Sequence, residues 1–236
     1  MARSHGKDVR VYLGSRDASA DLVSIEPAAM MDTHDVTTFG AEFRSSDAGL
    51  GGWEAGFEAF YQPQSGGIGR QLESIGLQTS GLFVVSIYDG DADGVGDAGI
   101  LGSEATLTKR AQPISVADMI KLSGTLQGNG QLGMHARLLH ALAAKTTTSQ
   151  GASYDNAASS ANGGRGNLHV TAATGSGTIK IQHSPDDAAW ADLITFTAAT
   201  GATSESKTVT GTVDRYLRAQ WAPGTSITFV VGFARY

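Results

Sequence analysis

The chain has no cysteine. Disulfides, zinc–thiolate sites and thiol catalysis are therefore excluded. Proline is scarce, at 5 of 236 residues, and charged residues make up only 17%. Long apolar runs are missing too. The most apolar stretches, LFVVSIY at 82–88 and ITFVVGFA at 227–234, have the length of strands, far short of the ~20 residues a membrane helix needs. The N-terminus MARSHGKDVRVYLGSRDA is polar and lacks the apolar run of a signal peptide. The expectation is a soluble protein made in a cytoplasm, with no membrane partner. Basic residues are also in deficit: 17 Lys and Arg against 23 Asp and Glu, a net charge of −6. Tight phosphate binders are normally basic, so high-affinity DNA or RNA binding is disfavoured.

What the chain has in abundance is glycine, 31 residues, about twice the usual share. With much Ala, Ser and Thr, that points to turns and β structure, not a helical bundle. Charge is uneven. Residues 1–145 hold 17 acids and 11 bases, while 146–236 hold 6 of each. Between the halves lies TTTSQGASYDNAASSANGGRGN (146–167), a linker-like stretch with little to bury. The expected organisation is a domain at 1–145, a linker or long loop at 146–164, and a second domain at 165–236.

The second domain is the easier to read. Short β-rich runs begin at Leu168, Thr178, Leu193, Lys207, Tyr216 and Ile227. Thr178–Ser184 alternates apolar and polar, the period of a half-buried strand. Six such runs separated by turn residues predict an antiparallel sandwich. Trp190 and Trp221 are expected in its core. In the first domain Asp8–Leu13, Phe57–Tyr61 and Phe83–Tyr88 read as strands, with one or two more between Ile114 and Leu126. Ile68, Leu72 and Ile75 fall at i, i+4, i+7, which fits one short helix near 67–77. Met134–Ala143 is ambiguous: its residues are strong helix formers, but the apolar positions also fit a strand. The fold class expected is mainly β.

The motifs offer little chemistry. Asp89–Gly90–Asp91–Ala92–Asp93–Gly94–Val95–Gly96–Asp97 matches the first half of a calcium loop, with Asp89, Asp91, Asp93 and Asp97 as candidate ligands. Position 12 is Ile100 where a bidentate Glu is required, and a strand precedes the loop where a helix should. An acidic hairpin loop is the competing reading. The histidines, at 5, 34, 135, 140, 169 and 183, form no helical zinc pair. His183–Ser184 with Asp186 and Asp187 superficially suggests a triad, but neighbours in a turn cannot supply that geometry. No catalytic residue and no cofactor is assigned, and the chain is read as non-enzymatic.

The segment 32–61 is more informative. It shows no clear local structure, yet holds Phe39, Phe43, Trp53, Phe57, Phe60 and Tyr61. Structureless stretches this long are usually functional or disordered, and disordered ones seldom carry so many aromatics. These rings are expected to bury against the same domain or a neighbouring subunit. Phe39, Trp53 and Phe57 are the candidate interface residues.

At this segment a family resemblance enters. Asp35–Gly40, then Gly49–Leu50, Trp53 and Gly56–Tyr61 resemble the major tail (tail tube) proteins of long, non-contractile-tailed bacteriophages. The later run of Gly163–Gly164, Leu168–Thr171, Gln182–Ser184, Trp190–Leu193, Gly211–Val213, Arg215–Arg218 and Phe229–Arg235 is similar to the second module of such virion proteins. The resemblance implies a β-sandwich or barrel tube domain plus an outward C-terminal β-sandwich. It implies hexameric rings that stack into a tube conducting the genome, with no tight hold on the DNA passing through the lumen. Partners would be further copies of the chain, a tape-measure protein, and tail terminator and tail-tip proteins. The location would be the virion tail, assembled in the host cytoplasm. It also implies that Met134–Leu142 is a strand. The alternatives are a carbohydrate-binding or adhesion module, or another virion component such as a tail terminator or head decoration protein.

Overall fold

The structure is a computed structural model that describes residues 6–62, 67–69, 72, 83–90, 92–114 and 118–236. After a 3-10 turn at Gly6–Asp8 the strands run β1 Arg10–Leu13, β2 Arg16–Asp17, β3 Leu22–Asp35, β4 Ser46–Phe60 and β5 Phe83–Tyr88. They continue as β6 Ala98–Ala111, β7 Lys121–Gly128, β8 Gly133–Lys145, β9 Ser149–Gln150, β10 Tyr154–Asp155 and β11 Gly164–Thr174. The last are β12 Thr178–Ser184, β13 Ala191–Thr195, β14 Thr203–Val209, β15 Tyr216–Ala222 and β16 Ser226–Arg235. The fold is mainly β. Of the helix expected near 67–77, Ile68, Gly69 and Leu72 are described and helical, with Ile68 and Leu72 buried. Ile75 lies outside the described residues.

The chain forms two compact units, Met1–Ala20 with Leu82–Glu104 and Gly133–Tyr236, and Asp21–Gly81 with Ala105–Leu132. This division differs from the linear one expected from composition, for a physical reason. β8 pairs antiparallel with β16, Phe229 opposite Ala143 and Ala234 opposite Ala136, which ties residues before the polar stretch to the last strand. The polar stretch itself carries β9 and β10, both paired with β15.

In the first unit one sheet has the order β14-β11-β16-β8-β6-β5-β1-β2, and a second has β10-β15-β12-β13 with β9 beside β15. Period-2 alternation builds the sandwich. Ile179 and Ile181 of β12, Leu217, Ala219 and Trp221 of β15, Leu168 and Val170 of β11, and Ile227, Phe229, Val231 and Phe233 of β16 form one buried cluster. Trp190 is not part of it: the ring is half-buried, with the Arg218 guanidinium 4.0 Å from its centroid. It follows the Pro185–Ala189 turn, which leaves it beside the sandwich instead of inside.

The other face of β11 is polar and still buried. Asn167 Nδ2 donates to the carbonyls of Val85 (3.0 Å) and Gly102 (2.8 Å) and to Ser86 Oγ (3.2 Å). His169 Nδ1 lies 2.6 Å from the Gly14 carbonyl and Nε2 2.7 Å from Ser86 Oγ. A carbonyl only accepts, so Nδ1 carries the proton and Nε2 accepts from the Ser86 hydroxyl. Burial pushes the His169 pKa down to about 4. These bonds fasten β11 to β5 and to the turn after β1.

Met134–Ala143 is a strand. Local helix propensity is overridden by pairing on both sides, with β16 and, over Gly133–Arg137, with the start of β6.

In the second unit the order is β3-β4-β7-β6. The segment read as structureless is a long hairpin, Leu22 opposite Ala59 through Asp35 opposite Ser46. Backbone pairing sustains it where the side chains show no period.

Candidate assembly surface

Near its base the hairpin has a covered face. Trp53, Ala55, Phe57 and Ala59 of β4 are buried, alternating with half-exposed residues. Trp53 is opposite Gly128 and Phe57 opposite Gly124 in the β4–β7 register. A side chain at Gly124 would stand 2.6 Å from the Phe57 ring, and one at Gly128 would collide with the Trp53 indole. The rings occupy the space that glycine leaves open. Of the three candidate interface residues, two are therefore already spent within one unit, because glycine partners admit them to the sheet surface.

Beyond Trp53 the hairpin emerges from that cover. Met31 is 63% exposed, Leu50 83%, Phe43 82%, and Phe39 fully so at 110%. Isolated exposed apolar residues are unremarkable, but a run of them on one projecting element marks an interaction surface. The connection 36–45 is stapled at its base. Val36 N donates to the Ser45 carbonyl at 2.9 Å, and Ser45 N to Thr37 Oγ1 at 2.9 Å. Thr37 N donates to Asp35 Oδ1 at 2.9 Å. Hydrogen bonds from the Thr37 side chain and backbone hold the Asp35 carboxyl below its usual range. Gly40 takes φ +89°, a left-handed turn open to glycine, between the two phenylalanines. Phe39 is thus displayed on a structured loop. Met31 escaped the sequence reading, and Leu50 entered it only as part of the family resemblance. The adjacent Met30–Met31 pair and a leucine set between Gly49 and Gly51 were the only signals.

β3 adds a second feature. Among the described residues its outer edge pairs with no strand. An edge of 14 residues is a template for strand addition.

The acidic loop is a hairpin connection between β5 and β6, closed by Asp89 N donating to the Ala98 carbonyl at 2.8 Å. The Asp97 carboxylate turns inward to accept from Gly94 N at 3.1 Å. Gly96 N donates to the Leu138 carbonyl at 2.7 Å, and Arg137 Nη1 to the Gly96 carbonyl at 3.2 Å. Asp89, Asp93 and Asp97 are described, and Asp91 lies outside the described residues. Among the described residues no three acidic or histidine side chains are placed to hold a metal ion.

His183 and Ser184 turn apart, as consecutive strand residues must. His183 Nδ1 faces Asp214 Oδ2 at 3.0 Å, while Ser184 Oγ donates to Asp186 Oδ1 at 2.9 Å. They form no triad. Among the described residues no helix is long and apolar enough to cross a membrane.

No family model and no curated protein matches the chain. Similarity to solved structures is partial and at low identity. The SPP1 tail tube shares 14% identity at a TM-score of 0.42, over 54% of this chain and 77% of that one. The sheath/tube terminator of the PVC extracellular contractile injection system gives 15% and 0.45, over 56% and 97%. A chain of the native gene transfer agent virion gives 15% and 0.40, over 55% and 97%.

Proposed function

We propose that this chain is the structural subunit of a phage tail tube, self-assembling into hexameric rings that stack around a lumen for genome passage. The observation that carries the reading is the β3–β4 arm. It is paired, stapled at its loop, and crowned by Met31, Phe39, Phe43 and Leu50, which no described residue of their own unit covers. A monomer gains nothing from ordering such an arm, whereas a repeating assembly buries it against the next copy. The edge of β3 that pairs with no described strand supplies the backbone counterpart, since strand addition converts an aggregation hazard into a specific joint. The occupant is a further copy of the chain. Tape-measure, terminator and tail-tip proteins are the partners the sequence resemblance implies, with the virion tail as the location and the host cytoplasm as the place of assembly.

The acidic balance of residues 1–145 fits this role. A conduit should not hold phosphates, and net negative charge repels them. Absence of cysteine suits assembly in a reducing compartment. No catalytic step is assigned to any residue. The test is electron microscopy of the purified protein at rising concentration. Long hollow filaments with sixfold rings support the reading, and a persistently monodisperse monomer contradicts it.

A further inference from the structure

The outer face of the second sheet of the first unit carries a rigid polar ladder that serves neither the core nor the assembly arm. Asp192, Gln182 and Arg218 stand opposite one another across β13, β12 and β15. Lys180 Nζ donates to Asp192 Oδ2 at 2.6 Å, and Gln182 Nε2 to Asp192 Oδ1 at 2.9 Å. Arg218 Nε donates to Gln182 Oε1 at 2.9 Å. The guanidinium carbon lies 4.0 Å from the Trp190 ring centroid.

The bookkeeping of charge and valence along this ladder is lopsided. Lys180 is neutralised by Asp192. Arg218 instead spends its Nε on a neutral amide. Its two terminal nitrogens bond no described residue. Asp187 acts on it through space but makes no ion pair with it. The result is a guanidinium held by an amide at Nε and an indole at its face, with two terminal nitrogens left without a described partner. That is the fork that matches a carboxylate bidentately, and holding it in place beforehand removes much of the ordering cost.

The surroundings narrow the ligand. Thr178 and Lys180 alternate with buried Ile179 and Ile181 on β12, with Gln182 itself buried, and Tyr216, Arg218 and Gln220 alternate with buried Leu217, Ala219 and Trp221 on β15. The face therefore offers the Gln220 amide and the Thr178 and Tyr216 hydroxyls, with no aliphatic anchor. A peptide interface draws its affinity from buried apolar and aromatic anchors, and the one indole here, Trp190, is already engaged by the Arg218 guanidinium, while a sugar presents hydroxyls that an amide and a phenol can meet. We infer that this face is a binding site for an acidic saccharide, its carboxylate held by Arg218 and its hydroxyls by Gln220 and Tyr216, with the buried Gln182 holding Arg218 in place. This inference stands on the sandwich alone and is independent of tube assembly.

Equilibrium dialysis of labelled tetragalacturonate against the full chain tests it, because the method works on monomer and assembly alike. Binding with Kd near or below ~1 mM is expected, at least tenfold tighter than for labelled maltotetraose. Arg218→Gln should lower the affinity at least tenfold with an unchanged melting temperature. Arg218→Lys, which keeps the charge but loses the fork, should give an intermediate loss, and it is the readout if the Gln variant fails to fold. Three results overturn the proposal: no binding up to ~10 mM, affinity indifferent to both substitutions, or equal competition by tetraglutamate, which would mark a site for any carboxylate.

Discussion

The Trp53 indole fills the space above Gly128, its cross-strand partner on β7. The ring is fully buried although it sits on a hairpin that is exposed along much of its length. This pairing sets where the anchored part of the arm ends and the projecting part begins.

Substitution on either side of that contact should therefore weaken the fold. Gly128→Ala forces a methyl into the indole and should cost about 1–3 kcal/mol. Trp53→Ala empties the site and should cost about 3–5 kcal/mol. Urea denaturation measures both. Loss of assembly without loss of stability in Trp53→Ala would show that the ring serves a neighbour instead.

Asn167 should tolerate no carboxylate. Asn167→Asp removes the amide donors that reach Val85, Ser86 and Gly102 and places an acceptor against two carbonyls. The expected loss is at least ~3 kcal/mol at neutral pH, partly recovered as the acid is protonated at low pH. A denaturation midpoint within error of the native value would contradict the role given to this residue.

Acid should loosen the first unit through two buried histidines. Burial lowers His169 to about 4; burial, with the Lys145 ammonium, lowers His140 to about 4 as well. The His140 ring stacks on Phe229 at 4.3 Å and meets Trp221 edge-on at 4.8 Å. Both pKa values are depressed from 6.5, so below 6.5 the unfolded chain binds more protons. Stability is complete above that pH and falls between about 6.5 and 4, by on the order of 3 kcal/mol for each group. His140→Phe keeps the stacking and should make the acid limb shallower by about one proton. An unchanged slope in stability against pH would refute this.

The sequence was most legible where one face of a strand is buried. Thr178–Ser184 could be read to its ends because Ile179 and Ile181 point one way and Lys180 and Gln182 the other. Ser46–Gly52 was illegible for the opposite reason: it is largely uncovered and glycine-rich, so no period records its pairing with β3. Met134–Ala143 stayed ambiguous from its own residues, since its strand state comes from β16, nearly a hundred residues later in the chain. The proposed assembly surface was half legible. The aromatics of 39–61 stood out, but nothing local separates Phe39, which projects, from Trp53 and Phe57, which are covered. That difference is decided by Gly124 and Gly128 on another strand.

The arm's tip should matter to assembly and not to folding. Phe39→Ser with Phe43→Ser removes two exposed rings and should change stability by no more than about 0.5 kcal/mol for each. The decisive measurement is sedimentation of the native chain and this double variant over one concentration series, with electron microscopy of each fraction. The account predicts that the native chain passes from monomer to large hollow assemblies while the variant, equally stable, remains small. Identical assembly of both would contradict it, as would a native chain that stays monomeric throughout.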